Sequence, residues 1–310
     1  MKRLLLKLLL CVSLVIGILG FSVTSYAQSV DTEKPCSYTV VYKHGNDTFE
    51  GLEIKVYRIA EVSAEGVYSL ADGFKDYPVK LNGVTSQDEW RAIASTLAAY
   101  IAADGIEPTE AGITDSDGKI VFSDIKAGMY LTLSVTTERD SEVTRFETFL
   151  TAIPYPENDG IYSYDALAYP KFSSYVPTPD ETEHRVVKQW KDTGYADSRP
   201  EFVEVDILKN GIVESTQRLT ADNNWSYSWK APNDGAVWQA VERNVSPDYT
   251  VTVIESGSTI IVTNVHNYDG MNAPQTGNVS DVWPYALAMC FAGSVLMIVA
   301  VWRRKTEGRA

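Results

Sequence analysis

Residues 249–253 read Tyr-Thr-Val-Thr-Val, and residues 202–207 read Phe-Val-Glu-Val-Asp-Ile. In both stretches every second residue is apolar, which is typical of a strand with one face in a core and one face in solvent. Residues 225–229, Trp-Ser-Tyr-Ser-Trp, repeat the pattern. Asn-Gly and Asn-Asn pairs between such stretches are typical of tight turns. We therefore predict a β-sandwich from residue 184 to about residue 268.

The same period of two places three polar residues on core faces. Lys188, Glu242 and Asn264 each share a strand face with apolar residues two positions away. Burial disfavours charge, so the lysine becomes a neutral amine and the glutamate a neutral acid. The amine can then attack the Asn264 carboxamide while Glu242 polarises the carbonyl and shuttles a proton as ammonia leaves. The residues predict an intramolecular Lys188–Asn264 isopeptide bond. The alternative is a snorkelling lysine and a satisfied asparagine without a bond.

Four sequence blocks of this segment carry a resemblance to a known family. They read Val-Lys-Gln-Trp (187–190), Arg-Pro-Glu-Phe-Val-Glu-Val (199–205), Leu-Thr-Ala-Asp-Asn-Asn-Trp-Ser-Tyr (219–227) and Ile-Val-Thr-Asn (261–264). Residues 184–267 thus resemble the collagen-adhesin B-type (Cna-B) repeat. By that resemblance, the isopeptide lysine is Lys188, the asparagine is Asn264 and the catalytic acid is Glu242. Trp238 stands where the family usually has a tyrosine.

The two ends of the chain predict export and a membrane anchor. Residues 1–27 combine a basic start, an apolar run and Ser25-Tyr26-Ala27, as in a signal peptide cleaved after Ala27. An uncleaved N-terminal anchor is the alternative reading. Residues 282–302 carry no charge and are long enough to cross roughly 30 Å of hydrocarbon as a transmembrane helix. The basic tail, residues 303–310, is expected to stay in the cytoplasm, so residues 28–281 face outward.

The spacer before the membrane segment, residues 269–281, contains a short motif. It reads Ala273-Pro274-Gln275-Thr276-Gly277. Followed by an apolar span and a basic tail, it resembles the cell-wall sorting signal of Gram-positive surface proteins, although Ala273 replaces the usual leucine. The resemblance implies that a sortase cuts between Thr276 and Gly277 and passes the Thr276 carbonyl to an amine, which anchors the protein to peptidoglycan. A plain membrane-anchored protein is the alternative.

The first part of the exported body, residues 28–171, is predicted to be a β domain with one helix. Apolar runs at 38–42, 52–59, 120–122 and 129–135 indicate strands. A capping box at 86–89, apolar residues at helical spacing and Gly105 predict the helix. Residues 115–118, Asp-Ser-Asp-Gly, favour a β-turn over a calcium loop, because a downstream acidic ligand is lacking. Residues 172–183 contain two prolines and are predicted to be a linker.

Residues 162–171 read Tyr-Ser-Tyr-Asp-Ala-Leu-Ala-Tyr-Pro-Lys. They resemble the pilin motif of sortase-assembled pili, whose lysine accepts the sorting threonine of the next subunit, and Lys171 would be that acceptor. Tyr162 stands where a tryptophan is usual, and Ala166 and Ala168 stand where valines are usual. Residues 112–131 are similar in pattern to pilin N-terminal domains. An ordinary exposed lysine is the alternative.

Composition excludes several classes of function. The formal net charge is −14 although both ends of the chain are basic, so the acidic body repels nucleic acid. Three cysteines, Cys11, Cys36 and Cys290, leave no disulfide framework, because the first and last lie in the apolar terminal stretches. Three scattered histidines indicate no metal site, and no cofactor is expected. No catalytic constellation of an exported hydrolase is recognisable, so we expect no turnover enzyme.

Together these features predict a mostly β protein with two tandem β-sandwich domains of Ig-like or Cna-B type, the first with a helical insertion. We expect a cell-wall-anchored pilin subunit whose partners are sortase, peptidoglycan and other pilin subunits. The alternative is a non-polymerising adhesin that binds a host or matrix ligand. Lys171 discriminates the two, because only a polymerising subunit needs a reactive amine there.

Overall fold

The computed structural model describes residues 29–157 and 161–267, which form a single compact unit. The predicted signal peptide with Ala27, the sorting motif 273–277, the span 282–302 and the tail 303–310 lie outside the described residues. No helix within the described ranges is both long enough and apolar enough to cross a membrane.

Strands dominate the described residues, which confirms the mostly β class. The fifteen strands of the first half are β1 (Cys36–Val41), β2 (Lys43–His44), β3 (Asp47–Thr48), β4 (Glu53–Val62), β5 (Tyr68–Leu70), β6 (Glu110–Ile113), β7 (Lys119–Ile125), β8 (Gly128–Thr132), β9 (Val135–Arg139), β10 (Glu142–Phe146), β11 (Phe149–Ile153), β12 (Tyr155–Pro156), β13 (Tyr162–Ser163), β14 (Asp165–Ala168) and β15 (Phe172–Tyr175). The seven strands of the second half are β16 (Thr178–Lys191), β17 (Phe202–Lys209), β18 (Ile212–Thr220), β19 (Ser226–Asn233), β20 (Trp238–Arg243), β21 (Tyr249–Ser256) and β22 (Thr259–His266). Helix α1 (Gln87–Asp104) and two 3₁₀ turns (Asp72–Phe74 and Ala196–Ser198) complete the described elements.

The first half is more elaborate than a two-sheet sandwich. One sheet has the order β14-β1-β7, and a second has the order β11-β8-β4-β5 with β6 also paired to β4. A third sheet, β15-β10-β9, and the small ribbons β2-β3 and β12-β13 complete this half. Both faces of β8 are buried: Tyr130 enters the core shared with the first sheet, while Met129 and Leu131 enter the core shared with α1.

Helix α1 begins and ends where the sequence predicts. The Glu89 amide donates to Ser86 Oγ at 3.2 Å, and the Ser86 amide donates to Glu89 Oε2 at 3.0 Å, which closes the capping box. Gly105 ends the helix in the left-handed region at φ +63°, a conformation that glycine adopts without strain. Ile93, Leu97 and others bury the predicted apolar face.

The Asp115–Gly118 segment is the predicted β-turn. The Gly118 amide donates to the Asp115 carbonyl at 2.9 Å, and the Asp115 carboxylate accepts the amides of Asp117 and Lys119 at 3.0 and 2.8 Å. The carboxylate is therefore occupied by its own turn, which is the usual role of aspartate at this position.

The second half consists of two sheets packed face to face, β19-β16-β22-β21 and β18-β17-β20. Val203, Val205 and Ile207 are buried in the core between them, as the alternating pattern predicts. The first strand of this half, β16, runs parallel to its last strand, β22, and the two are hydrogen-bonded neighbours.

The segment 172–183, predicted as a linker, instead forms strands at both of its ends. Phe172–Tyr175 pairs with β10, and the chain enters β16 at Thr178. Phe172 packs against the core of the first half. This packing favours a strand, although the prolines and polar residues of the segment had suggested a linker. Pro177 falls between the two strands, where no ladder hydrogen bond is required of it.

Candidate functional site

Three strands bring the predicted cross-link residues together inside the second half. In the parallel pair β16–β22, Lys188 lies opposite Val262 and Trp190 lies opposite Asn264. Lys188 and Asn264 are therefore diagonal neighbours, and both are buried. Glu242 comes from β20 in the facing sheet. The side chains of Lys188 and Glu242 are 0% and 2% exposed and Asn264 is 2% exposed, so the three groups are shielded from bulk solvent.

The Glu242 carboxyl lies between the amine and the amide. Its Oε1 accepts a hydrogen bond from Asn264 Nδ2 at 2.8 Å, and its Oε2 lies 3.7 Å from Lys188 Nζ. A single carboxyl that touches both groups can carry a proton from one nitrogen to the other. The structure thus assembles all three residues that the alternating pattern singled out.

Two oxygens of this cluster have no hydrogen-bond partner among the described residues: Glu242 Oε2 and Asn264 Oδ1. A buried polar atom without a partner costs about 1–3 kcal/mol. The nitrogen and oxygen of an amide exchange places when the group rotates by half a turn. In that orientation Asn264 Oδ1 takes the place of Nδ2 beside Glu242 Oε1, and a protonated carboxyl donates to it. That donation polarises the amide carbonyl, which makes its carbon a better electrophile.

Burial shifts the pKa values of Lys188 and Glu242 in the directions that favour their uncharged forms. Desolvation lowers the pKa of the Lys188 ammonium, and Glu242 offsets part of this effect. Desolvation likewise raises the pKa of the Glu242 carboxyl, against the opposing influence of Lys188 and the Asn264 hydrogen bond. A neutral amine is a nucleophile and a neutral carboxyl is a proton donor, so the environment favours both reactive forms.

Aromatic side chains hold the amine in place. Lys188 Nζ lies 3.8 Å from the centroid of the Trp190 ring and donates to the Gln189 carbonyl at 2.9 Å. The Trp190 ring is in turn packed edge-on against Trp225 and Tyr249, with both centroid distances at 5.3 Å. These contacts fix the direction from which Nζ approaches the amide.

A second polar pair, which the strand pattern does not predict, lies beside the aromatic cluster. Buried Asp192 accepts two hydrogen bonds from Arg199, at 2.7 and 2.6 Å, and one from the Tyr249 hydroxyl at 3.3 Å. The Arg199 guanidinium holds the pKa of the Asp192 carboxyl below its usual range. Strand periodicity gives no signal for this pair, because both residues lie in the connection after β16.

A cavity of ≈ 250 Å³ adjoins the cluster. Glu242 and Asn264 line it, and Asn244, Ser246 and Tyr249 are among its other lining residues.

Lys188 is the only buried lysine among the described residues. Within residues 29–157 and 161–267, no group of His, Cys, Asp and Glu side chains is arranged to hold a metal ion.

Lys171 lies in the first half, apart from the cluster. It is exposed between β14 and β15, while its carbonyl oxygen accepts from the Glu147 amide at 2.8 Å. The residue lies on a groove of ≈ 590 Å³ whose other lining residues include Trp90, Met129 and Phe149. Its backbone is therefore anchored in the fold while its amine is accessible.

The family model of the Cna protein B-type domain matches residues 184–265. Lys188, Glu242 and Asn264 all lie within the matched segment. No curated protein matches the sequence.

Several solved structures of Gram-positive surface proteins are similar to the chain. A single B repeat of the collagen-binding surface protein of Staphylococcus aureus is 16% identical, with a TM-score of 0.27 over 76% of this chain and 98% of its own. The full-length major pilin SpaD of Corynebacterium diphtheriae is 16% identical, with a TM-score of 0.30 over 77% of this chain and 66% of its own. A minor pilin of Streptococcus agalactiae is 15% identical, with a TM-score of 0.22 over 76% of this chain and 98% of its own. These TM-scores lie below 0.5, so the likeness does not establish a function.

Because Glu242 is buried, we expect the stability of a variant that lacks the Lys188 ammonium to depend on pH. Lys188→Met keeps the side-chain volume but removes the amine, so burial acts on the carboxyl without an opposing charge and holds its pKa above the ordinary value of 4.5. The folded state then binds more protons than the unfolded state as pH rises above that value. The free energy of unfolding should therefore fall with rising pH, by at most about 1.4 kcal/mol per pH unit.

Urea unfolding of the exported chain at a series of pH values measures this slope. The matched control is Lys188→Met/Glu242→Gln, which lacks the titrating group and should lose less stability over the same range. Equal slopes in the two variants would contradict the burial of the carboxyl.

Proposed function

We propose that this chain is a surface structural protein whose second half is locked by an isopeptide bond between Lys188 and Asn264. The observation that carries the proposal is the buried Lys188–Glu242–Asn264 cluster inside a Cna protein B-type domain. In this reaction the neutral Lys188 Nζ attacks Cγ of Asn264. The new C–N bond forms as the bond from Cγ to Nδ2 breaks, and ammonia leaves.

Glu242 carries out the proton transfers that this reaction requires. Its protonated carboxyl first gives a proton to the amide oxygen, and the resulting carboxylate takes a proton from the attacking nitrogen and delivers it to the leaving nitrogen. When ammonia leaves and the carbonyl re-forms, the oxygen returns its proton to the carboxylate. The carboxyl ends in its starting state, so each chain reacts once without a cofactor. The reaction also converts a buried amine, which is costly to keep unpaired, into a neutral amide.

The position of the bond suits a protein under tension. The chain enters the second half along β16 and leaves it after β22, and the two strands are parallel neighbours. A force applied at the two ends would shear the hydrogen bonds between these strands. A covalent bond from Lys188 to Asn264 carries that force past residues 189–263.

The proposal extends to anchoring and assembly. The motif 273–277 would be cut by a sortase, and the Thr276 carbonyl would be joined to peptidoglycan or to the amine of another subunit. The position of Lys171 supports its assignment as the acceptor, because its amine is exposed beside a groove with apolar and aromatic lining. An extended sorting peptide could fit into this groove. Such a chain is a pilin subunit attached to the cell wall.

A non-polymerising adhesin is the second candidate. The same groove favours it, because ≈ 590 Å³ lies within the usual range of about 300–1,000 Å³ for ligand pockets. In that case the groove takes a host or matrix ligand and Lys171 forms no bond.

The cross-link predicts a large loss of stability in Glu242→Ala. Without the acid the bond does not form, and the unfolded chain regains the freedom of the loop from 188 to 264. Loops of this length change stability by about 3–5 kcal/mol, to which the cavity left by Glu242 adds. Calorimetry of the exported chain should show a much lower melting temperature. The control is Glu214→Ala on an exposed position of β18, and equal melting temperatures in the two variants would rule out the cross-link.

The acceptor assignment predicts that Lys171→Ala abolishes high-mass polymers that begin with this subunit. Since the side chain is exposed, the variant should fold and be exported normally. Immunoblots of cell-wall extracts for a ladder resistant to detergent measure the effect, with Lys119→Ala, another exposed lysine, as the control. A ladder that persists in Lys171→Ala would show that another lysine is used. A wild-type strain without any ladder would favour the adhesin.

The anchoring assignment predicts that Thr276→Ala moves the protein from the wall fraction to the membrane or the medium. The reaction needs the carbonyl of that threonine and the side chain that the sortase recognises. Ser280→Ala, which removes a hydroxyl between the motif and the apolar span, should leave the wall fraction unchanged. Covalent attachment to peptidoglycan that survives in Thr276→Ala would reject the assignment.

A further inference from the structure

Helix α1 covers the open edges of both sheets of the second half. Strands β20 and β21 each lie at the end of their sheet, where backbone groups lack a strand partner. The Tyr100 hydroxyl donates to the backbone carbonyl of Glu242 at 2.8 Å. Thr96 Oγ1 accepts from the Val253 amide at 2.7 Å, so the helix supplies a polar partner to each edge.

Strand β20 is held by the helix at three successive residues. Val241, before Glu242, packs with Tyr100 in a small buried cluster. Arg243, after Glu242, donates to Asp104 at the end of the helix and to Asp206 on β17, both at 2.6 Å. At Glu242 itself, the backbone carbonyl accepts the hydrogen bond from the Tyr100 hydroxyl.

Val241 and Arg243 contact the helix from the outer face of β20, the Glu242 carbonyl contacts it at the open edge, and the reactive carboxyl projects from the inner face. Side chains alternate along a strand, so Val241 and Arg243 point toward the helix while Glu242 points toward Lys188 and Asn264. The carboxyl makes its bond to Asn264 at 2.8 Å and lies 3.7 Å from the amine. A small displacement of the backbone at Glu242 would break this arrangement, and reaction rates depend steeply on such distances.

We propose that Tyr100 is a positioning residue for the cross-linking reaction and that the first half of the chain thereby controls the rate at which the second half becomes locked. This inference rests on the proposed isopeptide bond. Tyr100 touches none of the reacting atoms and acts through the backbone of Glu242. Burial raises the pKa of its hydroxyl, so the group remains a hydrogen-bond donor at neutral pH.

The matched pair of variants is Tyr100→Phe and Tyr77→Phe. The two rings are stacked with their centroids 4.7 Å apart, but the Tyr77 hydroxyl donates to Asp104 at 2.9 Å and not to Glu242. Each variant therefore removes one hydroxyl from the same aromatic stack. The full chain is synthesised in a cell-free system and quenched in denaturant at intervals. Intact-mass spectrometry then gives the fraction that has lost one ammonia.

We expect Tyr100→Phe to slow the reaction by about 10- to 100-fold, in line with the effect of misplacing a reacting group by up to an ångström. Tyr77→Phe should react at nearly the wild-type rate. A wild-type rate in Tyr100→Phe, or an equal slowing in both variants, would overturn the positioning role.

A second measurement separates positioning from general destabilisation. In a Lys188→Met background no cross-link can form, and urea unfolding compares the two phenylalanine variants directly. Similar stabilities together with different reaction rates would support positioning, whereas a stability loss confined to Tyr100→Phe that accounts for its slowing would overturn it. If the wild-type chain itself never loses ammonia, both the isopeptide bond and the proposed role of Tyr100 are refuted.

Discussion

The burial of one amine, one carboxyl and one amide side by side in the interior is the constraint on which the rest of the structure depends. None of these groups is stable there with its ordinary charge or without a partner. Two sheets, a parallel pair of terminal strands and a helix against both sheet edges all serve to place Lys188, Glu242 and Asn264 within reach of one another. Two oxygens of this cluster, Glu242 Oε2 and Asn264 Oδ1, have no hydrogen-bond partner among the described residues.

In the proposed function, the covalent bonds form a short load path through the folded chain. A subunit attached at Lys171 would transmit force into the backbone at that residue. The force would pass along β15 and β16 to Lys188, cross to Asn264 and leave toward Thr276. The β-strands between residues 189 and 263 would then carry no tension. The single cysteine in the described residues, Cys36, is buried and free, so this reinforcement would involve no disulfide among them.

The alternation of strands is what made the site predictable from sequence. A strand's pleat fixes which side chains share a face, so polar residues at core positions are visible without a structure. Helix α1 was predictable too, through Ser86 and Gly105. The adjacency of β16 and β22 was implied only by the predicted Lys188–Asn264 bond, because strand order itself depends on contacts distant in sequence. The second buried face of α1, which includes Tyr100, was not predicted, although the alanine-rich sequence of the helix is typical of a helix covered on several sides. The linker prediction erred because it ignored the packing of Phe172.

Mass spectrometry of the wild-type compact unit, residues 28–267, tests the central claim most directly. The account predicts an intact mass lower than the sequence mass by one ammonia, and a proteolytic fragment in which the peptides containing Lys188 and Asn264 remain joined. A chain at full sequence mass, with the two peptides separate, would contradict it.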